Sequence, residues 1–345
     1  MVQELTRPTS LRRGAAPDTA FAFLDGEFVP VRDANVSVMT HAFNYGTGVF
    51  EGIRAYWNAE DEQLYALHLK EHYLRLHRSC RIMRIGLPYT ADDLVGITLE
   101  LLRRCKYRED AYIRPIAYKS SPLIGVRLHD LEDAYIRPIA YKSSPVIGVR
   151  LHDLEDSFTV FAVPFGTYID IDRGISCSVS SWRRVDDNAI PARAKITGSY
   201  VNAALAKTEA QEAGFDEAIV LTQDGHVSEG SAENLFLVRD GVLITPPATD
   251  NILEGITRSC VLKIAADNGI PTATRQVDRT ELYIADEIFL CGTGAQISPV
   301  TSIDHRAIGK GERGPITAKV SATYFDAVRG KVAQYRSWVT PVYKR

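Results

Sequence analysis

The chain has 345 residues, of which 45% are hydrophobic and 24% charged, so it can bury a sizeable core and is long enough for two domains. Its formal net charge of -3 gives no electrostatic reason to expect nucleic acid or an anionic membrane surface as a partner. The odd number of widely spaced cysteines and the lack of any run of about eighteen apolar residues indicate no disulfide framework, metal site or membrane span, so we expect a cytoplasmic protein.

The first half of the chain predicts a small α/β unit. A hairpin is predicted for Phe21–Val31 around the turn Asp25-Gly26, and a strand at Tyr65–Leu69 runs into a helix with apolar residues at three- and four-residue spacing. Thr90 and the two aspartates that follow it are typical of a helix start, because a side-chain oxygen and negative charge favour the first turn.

Strands and helices alternate in the second half. The predicted strands are Ile175–Ser181, Glu217–Leu221, Asn234–Val238 and Val242–Thr245, and the predicted helices are Ser199–Ala213, ended by Gly214, and Thr257–Asn268. We therefore divide the chain into a flexible arm (1–20), a smaller N-terminal α/β domain (21–163), a linker (164–174) and a larger C-terminal domain (175–345). A binding site is expected between the two domains.

A tandem repeat of 23 residues interrupts the first domain. Residues 109–131 recur as 132–154, with Leu123 against Val146 as the single difference. Repeat folds need about three copies or more, so a near-identical pair indicates a recent duplication or an error in sequence assembly.

Two motifs carry the chemistry. Lys195 lies in the run Arg193–Tyr200, and Glu229 lies in the run Ser228–Phe236. An amine that can form a Schiff base and a carboxylate that can keep a pyridine nitrogen protonated are the protein groups that pyridoxal-phosphate chemistry requires. Either residue alone would be read as a solvated charge or part of a turn.

These runs occur together with other motifs in a fixed order: residues 23–30, 36–54, the Tyr-Ile-Arg-Pro copies, 253–258 and 292–295. In these motifs the chain resembles the class IV pyridoxal-phosphate aminotransferases, and most closely the branched-chain-amino-acid aminotransferases. The resemblance implies pyridoxal-phosphate fold type IV, an α/β (α+β) architecture with a pseudo-barrel sheet in the larger domain. It also implies a homo-oligomer built from dimers, amino acids and 2-oxo acids as substrates, and transfer of the amino group of leucine, isoleucine or valine to 2-oxoglutarate.

The resemblance also assigns roles to residues. It gives Lys195 the Schiff base and the proton transfers, Glu229 the pyridine nitrogen and Tyr200 the phenolic oxygen of the cofactor. The other cofactor-binding positions are Arg54, Leu253, Gly255, Ile256, Thr257 and Thr293. Gly255 to Thr257 open a predicted helix, where free N–H groups favour a phosphate.

His68 stands where the family usually has an arginine that holds the cofactor phosphate. We expect a weaker phosphate ligand there, because an imidazole is charged only part of the time at neutral pH. A solvated histidine that does not touch the phosphate is the alternative.

The implied substrate-binding positions are Tyr45, Phe50, Gly52, Tyr135, Arg137, Tyr168, Gly294 and Ala295. Gly294 and Gln296 depart from the family's commoner Ala and Glu. Only one Tyr-Ile-Arg-Pro copy can occupy the site strand. We prefer Tyr135 and Arg137 over Tyr112 and Arg114, because the extra residues then bulge away from the site.

Three other functions are alternatives to the branched-chain enzyme. D-amino-acid aminotransferase and aminodeoxychorismate lyase share the lysine and the glutamate, but Phe50–Arg54 with Tyr-Ile-Arg-Pro favours the branched-chain enzyme. His68, Glu71 and His72 match the H-x-x-E-H pattern of zinc peptidases. That pattern needs both histidines on one helix, whereas the helix is predicted to begin only near Leu69.

Overall fold

A computed structural model describes residues 20–37, 40, 42, 48–83, 85–119, 156–164 and 173–343. Within these ranges the chain forms two β-sheets with helices packed against them, a mixed α/β fold in which one sheet curls into a half barrel. No helix in this part of the chain is both long and apolar enough to cross a membrane.

The first sheet has eight strands in the order β17-β5-β4-β6-β7-β1-β2, with β3 paired to β6. The strands are β1 (Phe21–Leu24), β2 (Glu27–Pro30), β3 (Gly48–Phe50), β4 (Ile53–Asn58), β5 (Gln63–Leu67), β6 (Ala111–Lys119), β7 (Asp156–Pro164) and β17 (Val339–Pro341). The hairpin predicted for Phe21–Val31 is confirmed, and its two turn residues have positive φ, 52° at Asp25 and 91° at Gly26. This is the backbone that a two-residue hairpin turn requires.

Two helices cover this sheet, α1 (Leu69–Ile82) and α2 (Ala91–Cys105). The Thr90 hydroxyl accepts from the Asp93 N–H and the Asp93 carboxylate accepts from the Thr90 N–H, so the predicted start of α2 is confirmed as a capping box. Leu69, Tyr73 and Leu76 of α1 are fully buried in the same core as Leu94 of α2. The buried stripe of α1 follows the spacing that predicted it.

The second sheet has nine strands in the order β10-β9-β8-β15-β14-β11-β12-β13, with β16 on β15. The strands are β8 (Ile175–Arg183), β9 (Glu217–Leu221), β10 (Val227–Gly230), β11 (Asn234–Arg239), β12 (Val242–Thr245), β13 (Thr272–Thr274), β14 (Glu287–Gly292), β15 (Gln296–Ile303) and β16 (Arg306–Ala307). The helices are α3 (Tyr200–Glu212), α4 (Ile256–Asp267) and α5 (Pro315–Val328). Each strand and helix predicted after residue 174 is present to within a few residues.

The C-terminal segment crosses the predicted division of the chain. Strand β17 pairs with β5, so the last described strand belongs to the first sheet although we had assigned 175–345 to the second domain. Tyr56 and Tyr65 of the first sheet share a buried core with Phe236 and Phe289 of the second. The two sheets are therefore joined by packing as well as by the chain.

The first copy of the repeat forms the strand at the centre of the first sheet. Strand β6 pairs with β3 and β4 on one side and with β7 on the other. Tyr112 and Arg114 lie on this strand. The second copy, with Tyr135 and Arg137, lies outside the described residues, so the copy that we preferred is not the one found in this position.

Candidate active site

A cavity of about 360 Å³ lies where elements of both sheets meet. The first sheet contributes the end of β3, the turn after it and strand β6. The second contributes the segment before α3, the end of β10, the start of α4 and the loop between β14 and β15. This agrees with the expectation that a site lies between the two halves.

Lys195 is held in the cavity through its backbone. Its carbonyl accepts from the Phe50 N–H at 3.0 Å, and its N–H donates to the Ser79 Oγ at 3.2 Å. The Nζ atom lies 5.3 Å from the ring centroid of Phe50 and 5.6 Å from that of Tyr200. The lysine amine is therefore placed between two aromatic rings by contacts from β3 and α1.

Glu229 faces the same cavity as a buried carboxylate. Its Oε1 lies 2.8 Å from Arg184 Nη2, and its Oε2 accepts from Asn234 Nδ2 at 3.0 Å and from the Leu253 N–H at 3.1 Å. Burial raises the pKa of Glu229, while Arg184 and the Leu253 N–H act in the opposite direction. These contacts fix the orientation of the carboxylate.

The segment Leu253–Thr257 forms the end of the cavity where a helix begins, which is suited to an anion. Gly255 is the N-cap of α4 and has no side-chain cap, so the first-turn N–H groups are available to a ligand. A Cβ on Gly255 would lie 2.0 Å from Asn234 Oδ1, so this close approach requires glycine. Thr293 lines the cavity from the loop between β14 and β15.

Arg75 of α1 adds a cation to this end that no sequence motif indicated. Its side chain lines the cavity, and its Nη1 donates to the carbonyl of Glu254 at 3.0 Å. His72, Arg75 and Ser79 share one face of α1 at three- and four-residue spacing, and all three are buried. The burial of Arg75 is visible only in the fold, so the sequence offered no signal for it.

His68 does not lie in this cavity. It is the N-cap of α1, and its ring packs against Trp338 with 5.1 Å between centroids. Its Nδ1 lies 3.5 Å from a carboxylate oxygen of Glu71. Burial lowers the pKa of His68. The residue expected as a phosphate ligand is instead packed on Trp338 at the start of the helix.

Arg54 also differs from its expected place. It is 1% exposed, and its guanidinium lies 5.7 Å from the ring centroid of Tyr56. Its strand partner is Tyr112, but among the described residues it is not one that lines the cavity. Arg54 is therefore a buried residue beside Tyr56, away from the described wall of the cavity.

The aromatic side of the cavity is formed by Phe50, Tyr112 and Tyr200. The rings of Phe50 and Tyr200 are 4.9 Å apart, and the Arg114 guanidinium lies 4.2 Å from the Phe50 centroid and 5.1 Å from that of Tyr112. A Cβ on Gly52 would lie 2.5 Å from the Tyr112 hydroxyl, so a larger residue here would displace the end of the Tyr112 side chain. Gly294 and Ala295 line the cavity from the loop between β14 and β15. Tyr45, Tyr168, Tyr135 and Arg137 lie outside the described residues.

The H-x-x-E-H residues do not form a metal site. His72 Nδ1 is bonded to Glu51 at 2.7 Å, while His68 packs on Trp338. No group of metal-binding side chains is found in the described ranges. The five cysteines are free and buried.

A family model described as Amino-transferase class IV matches residues 48–303. The chain belongs to this family. The class IV aminotransferases use pyridoxal phosphate. The chain is 48% identical over 326 residues to a probable branched-chain-amino-acid aminotransferase of Aquifex aeolicus, covering 94% of this chain and 97% of that protein. A branched-chain-amino-acid aminotransferase of Pseudomonas aeruginosa is 38% identical, with 92% and 96% covered.

Solved structures agree with this family assignment. The branched-chain aminotransferase of Thermoproteus uzoniensis with norvaline has a TM-score of 0.84 and 44% identity, covering 94% of this chain and 99% of that one. The T.th. branched-chain amino acid aminotransferase complexed with N-(5'-phosphopyridoxyl)-L-glutamate has a TM-score of 0.83 and 39% identity, covering 94% and 98%. The enzyme is therefore an aminotransferase of fold type IV, as the sequence motifs predicted.

Proposed function

We propose that this aminotransferase transfers the amino group of leucine, isoleucine or valine to 2-oxoglutarate. The observation that carries the proposal is that Lys195, Glu229, Phe50 and Arg114 face one cavity between the two sheets. An amine, a buried carboxylate, an apolar wall and a cation are the groups that this reaction requires.

Lys195 binds the cofactor covalently and moves protons in this proposal. Bound pyridoxal phosphate supplies the electron sink that stabilises negative charge at the substrate Cα. The Lys195 Nζ would act as the base that takes the proton from the substrate Cα. With the cofactor bound, Glu229 would keep the ring nitrogen protonated, and Tyr200 would donate to the phenolic oxygen. The donors around Glu229 keep its charge in place during these steps.

Groups from both halves of the described chain would hold the phosphate. We assign it to the N–H groups of Ile256 and Thr257, the loop that contains Thr293 and the guanidinium of Arg75. The dipole and free N–H groups of α4 favour an anion, and the arginine supplies a full charge. The space around Gly255 excludes a Cβ, and this fits a ligand that approaches the backbone closely.

Both kinds of substrate enter the same pocket. An aliphatic side chain packs against Phe50 and Tyr112, whereas the distal carboxylate of 2-oxoglutarate is bound by Arg114, which lies above both rings. We assign to Tyr112 and Arg114 the roles first given to Tyr135 and Arg137. The norvaline and phosphopyridoxyl-glutamate complexes of the two similar enzymes support a pocket of this dual character.

A substrate screen tests the proposal. L-Leucine with 2-oxoglutarate should be the preferred pair, whereas D-alanine and 4-amino-4-deoxychorismate should react poorly. Preference for either of these would transfer the assignment to a D-amino-acid aminotransferase or an aminodeoxychorismate lyase. We further propose a cytoplasmic homo-oligomer built from dimers, which sedimentation of the purified protein tests.

The phosphate assignment has its own test. His68→Ala should leave the affinity for pyridoxal phosphate and its pH dependence unchanged, because its ring packs on Trp338. Arg75→Ala should weaken that affinity. The opposite pattern would restore His68 as the phosphate ligand.

A further inference from the structure

Glu51 is a buried carboxylate between two residues that line the cavity. It follows Phe50, precedes Gly52 and has no exposed surface. Its Oε1 accepts from Arg75 Nε at 2.7 Å, and its Oε2 accepts from Arg75 Nη2 at 2.6 Å. This is a bidentate pair in which the fork of the guanidinium fits both carboxylate oxygens.

His72 completes the arrangement from the same face of α1. Its Nδ1 lies 2.7 Å from Glu51 Oε2, and its side chain is 1% exposed. Arg75 and His72 lower the pKa of Glu51 to about 2 against the effect of burial, so Glu51 is an ionised acceptor. Burial lowers the pKa of His72, so a neutral ring donates through Nδ1–H.

These contacts leave Arg75 little freedom. Glu51 occupies its Nε and Nη2 edge, and the carbonyl of Glu254 accepts from Nη1 at 3.0 Å. Three elements therefore fix one guanidinium: the turn after β3, helix α1 and the segment before α4. That segment continues into Gly255, the N-cap of α4, at the anion-binding end of the cavity.

We infer that Glu51 and His72 are positioning residues that aim Arg75 at the cofactor phosphate. The inference rests on the proposed role of Arg75. It also joins the two ends of the site, because the backbone on either side of Glu51 forms the substrate wall, while its carboxylate orients the phosphate-binding arginine.

Glu51→Gln is the first test. An amide has one oxygen and one NH₂, so it cannot accept from both Arg75 nitrogens, and the fork is lost. The Kd of the full-length apoprotein should be measured for pyridoxal phosphate and for pyridoxal, which lacks the phosphate. We expect the first Kd to rise about tenfold to a hundredfold, as for loss of a hydrogen bond to a charged group, and the second to stay unchanged.

If Glu51 acted only through its negative charge, Glu51→Gln would change the Kd for pyridoxal phosphate in the opposite direction. Removal of a negative charge next to Arg75 would then tighten the binding of pyridoxal phosphate, and that result overturns the inference. Equal weakening of both ligands would indicate general structural damage and also overturns it. Glu287→Gln is the matched control, because Glu287 is a buried carboxylate that accepts from the Ile316 and Thr317 N–H groups outside the cavity.

A double-mutant cycle separates this inference from the proposed function. Arg75→Lys should weaken binding of pyridoxal phosphate, and adding Glu51→Gln should weaken it no further if Glu51 acts only through Arg75. If Arg75→Lys has no effect, the proposed phosphate role is refuted. If Arg75→Lys weakens binding and Glu51→Gln alone does not, only the positioning role is refuted.

His72 provides a second route if Glu51→Gln fails to fold. His72→Asn keeps an N–H donor near the position of Nδ1, whereas His72→Leu removes it. We expect His72→Leu to weaken the binding of pyridoxal phosphate but not that of pyridoxal. His72→Asn should keep most of the affinity of the parent for pyridoxal phosphate. Equal affinities in the two variants would overturn the role of His72.

Discussion

The N–H of Phe50 donates to the carbonyl of Lys195 at 3.0 Å. This bond belongs to a short pairing of the two segments, since Val49 also bridges to Ile196. Phe50, the proposed wall for a substrate side chain, and Lys195, the proposed cofactor lysine, are therefore held in one backbone frame. A displacement of β3 must move Lys195 as well.

Lys195→Ala should abolish the visible absorbance of the bound cofactor and lower transamination by about three orders of magnitude or more, as for loss of a covalent catalytic group. The spectrum should be recorded after unbound pyridoxal phosphate has been removed, and the rate should be measured with saturating pyridoxal phosphate. Lys263→Ala is the control, because Lys263 lies on the exposed face of α4 in an ion pair with Asp267. A Lys195→Ala variant that keeps its absorbance would mean that another lysine binds the cofactor.

Arg114→Ala should raise the KM for 2-oxoglutarate by about tenfold or more, because one charge-assisted contact to its distal carboxylate is lost. Arg137→Ala should leave this KM unchanged, since β6 is formed by the first copy. The two arginines have identical neighbours in sequence, so each variant is the control for the other. Equal effects of the two variants would contradict the assignment of the site strand.

Deletion of one repeat copy should leave a protein at least as stable and active as the full chain, as judged by thermal unfolding and transamination. The connection between β6 and β7 becomes shorter, which lowers the entropy cost of closing it. Deleting 109–131 or 132–154 gives chains that differ only at the position of Leu123 and Val146. A loss of activity would show that the longer connection has a function.

Gly255→Ala should weaken cofactor binding, because its Cβ would lie 2.0 Å from Asn234 Oδ1. Asn234 also donates to Glu229 and to the carbonyl of Leu253, so its displacement disturbs both ends of the cofactor site. Gly294→Ala is the control, since a Cβ there meets nothing within 4 Å. The test is the Kd for pyridoxal phosphate. Equal values for the two variants would contradict the proposal that the cofactor needs a glycine at position 255.

Glu233 should make stability depend on pH near neutrality. Burial and the nearby Glu217 raise the pKa of Glu233 from 4.5 to about 7, although Lys207 acts in the opposite direction. The folded state thus binds this proton more tightly than the unfolded state. Its contribution to the free energy of unfolding is full below pH 4.5 and is lost as the pH rises through about 7.

Urea unfolding of the parent and Glu233→Gln at several pH values checks this expectation. The amide imitates the protonated carboxyl, so the variant should lose less stability than the parent as the pH rises from 5 to 8. Parallel curves would mean that Glu233 is already ionised in the folded protein.

Local signals in the sequence predicted much of the fold and the reactive centre. Thr90 and Asp93 predicted the start of α2 because a capping box needs only residues of one turn. Lys195 and Glu229 were identified from short motifs, and the structure brings both to the cavity. Such features are predictable because they depend only on residues that are close together in the sequence.

Other features depend on contacts between distant segments. His68 packs on Trp338, and Arg75 is held by Glu51 and by the carbonyl of Glu254. Because these partners are distant in the sequence, the spacing along α1 could not show which of the two side chains faces the cavity. The choice between Arg114 and Arg137 could not be made from identical sequences. The pairing of β17 with β5 is likewise a long-range contact that no local pattern indicates.

That pairing has a consequence for synthesis on the ribosome. The chain emerges from its N-terminus, yet the edge of the first sheet at β5 pairs with residues 339–341, and Trp338 next to them packs on His68 at the start of α1. All strands of the second sheet are therefore made before the first sheet can be completed. During translation β5 should expose an unpaired edge, the kind of surface that promotes aggregation and that chaperones protect.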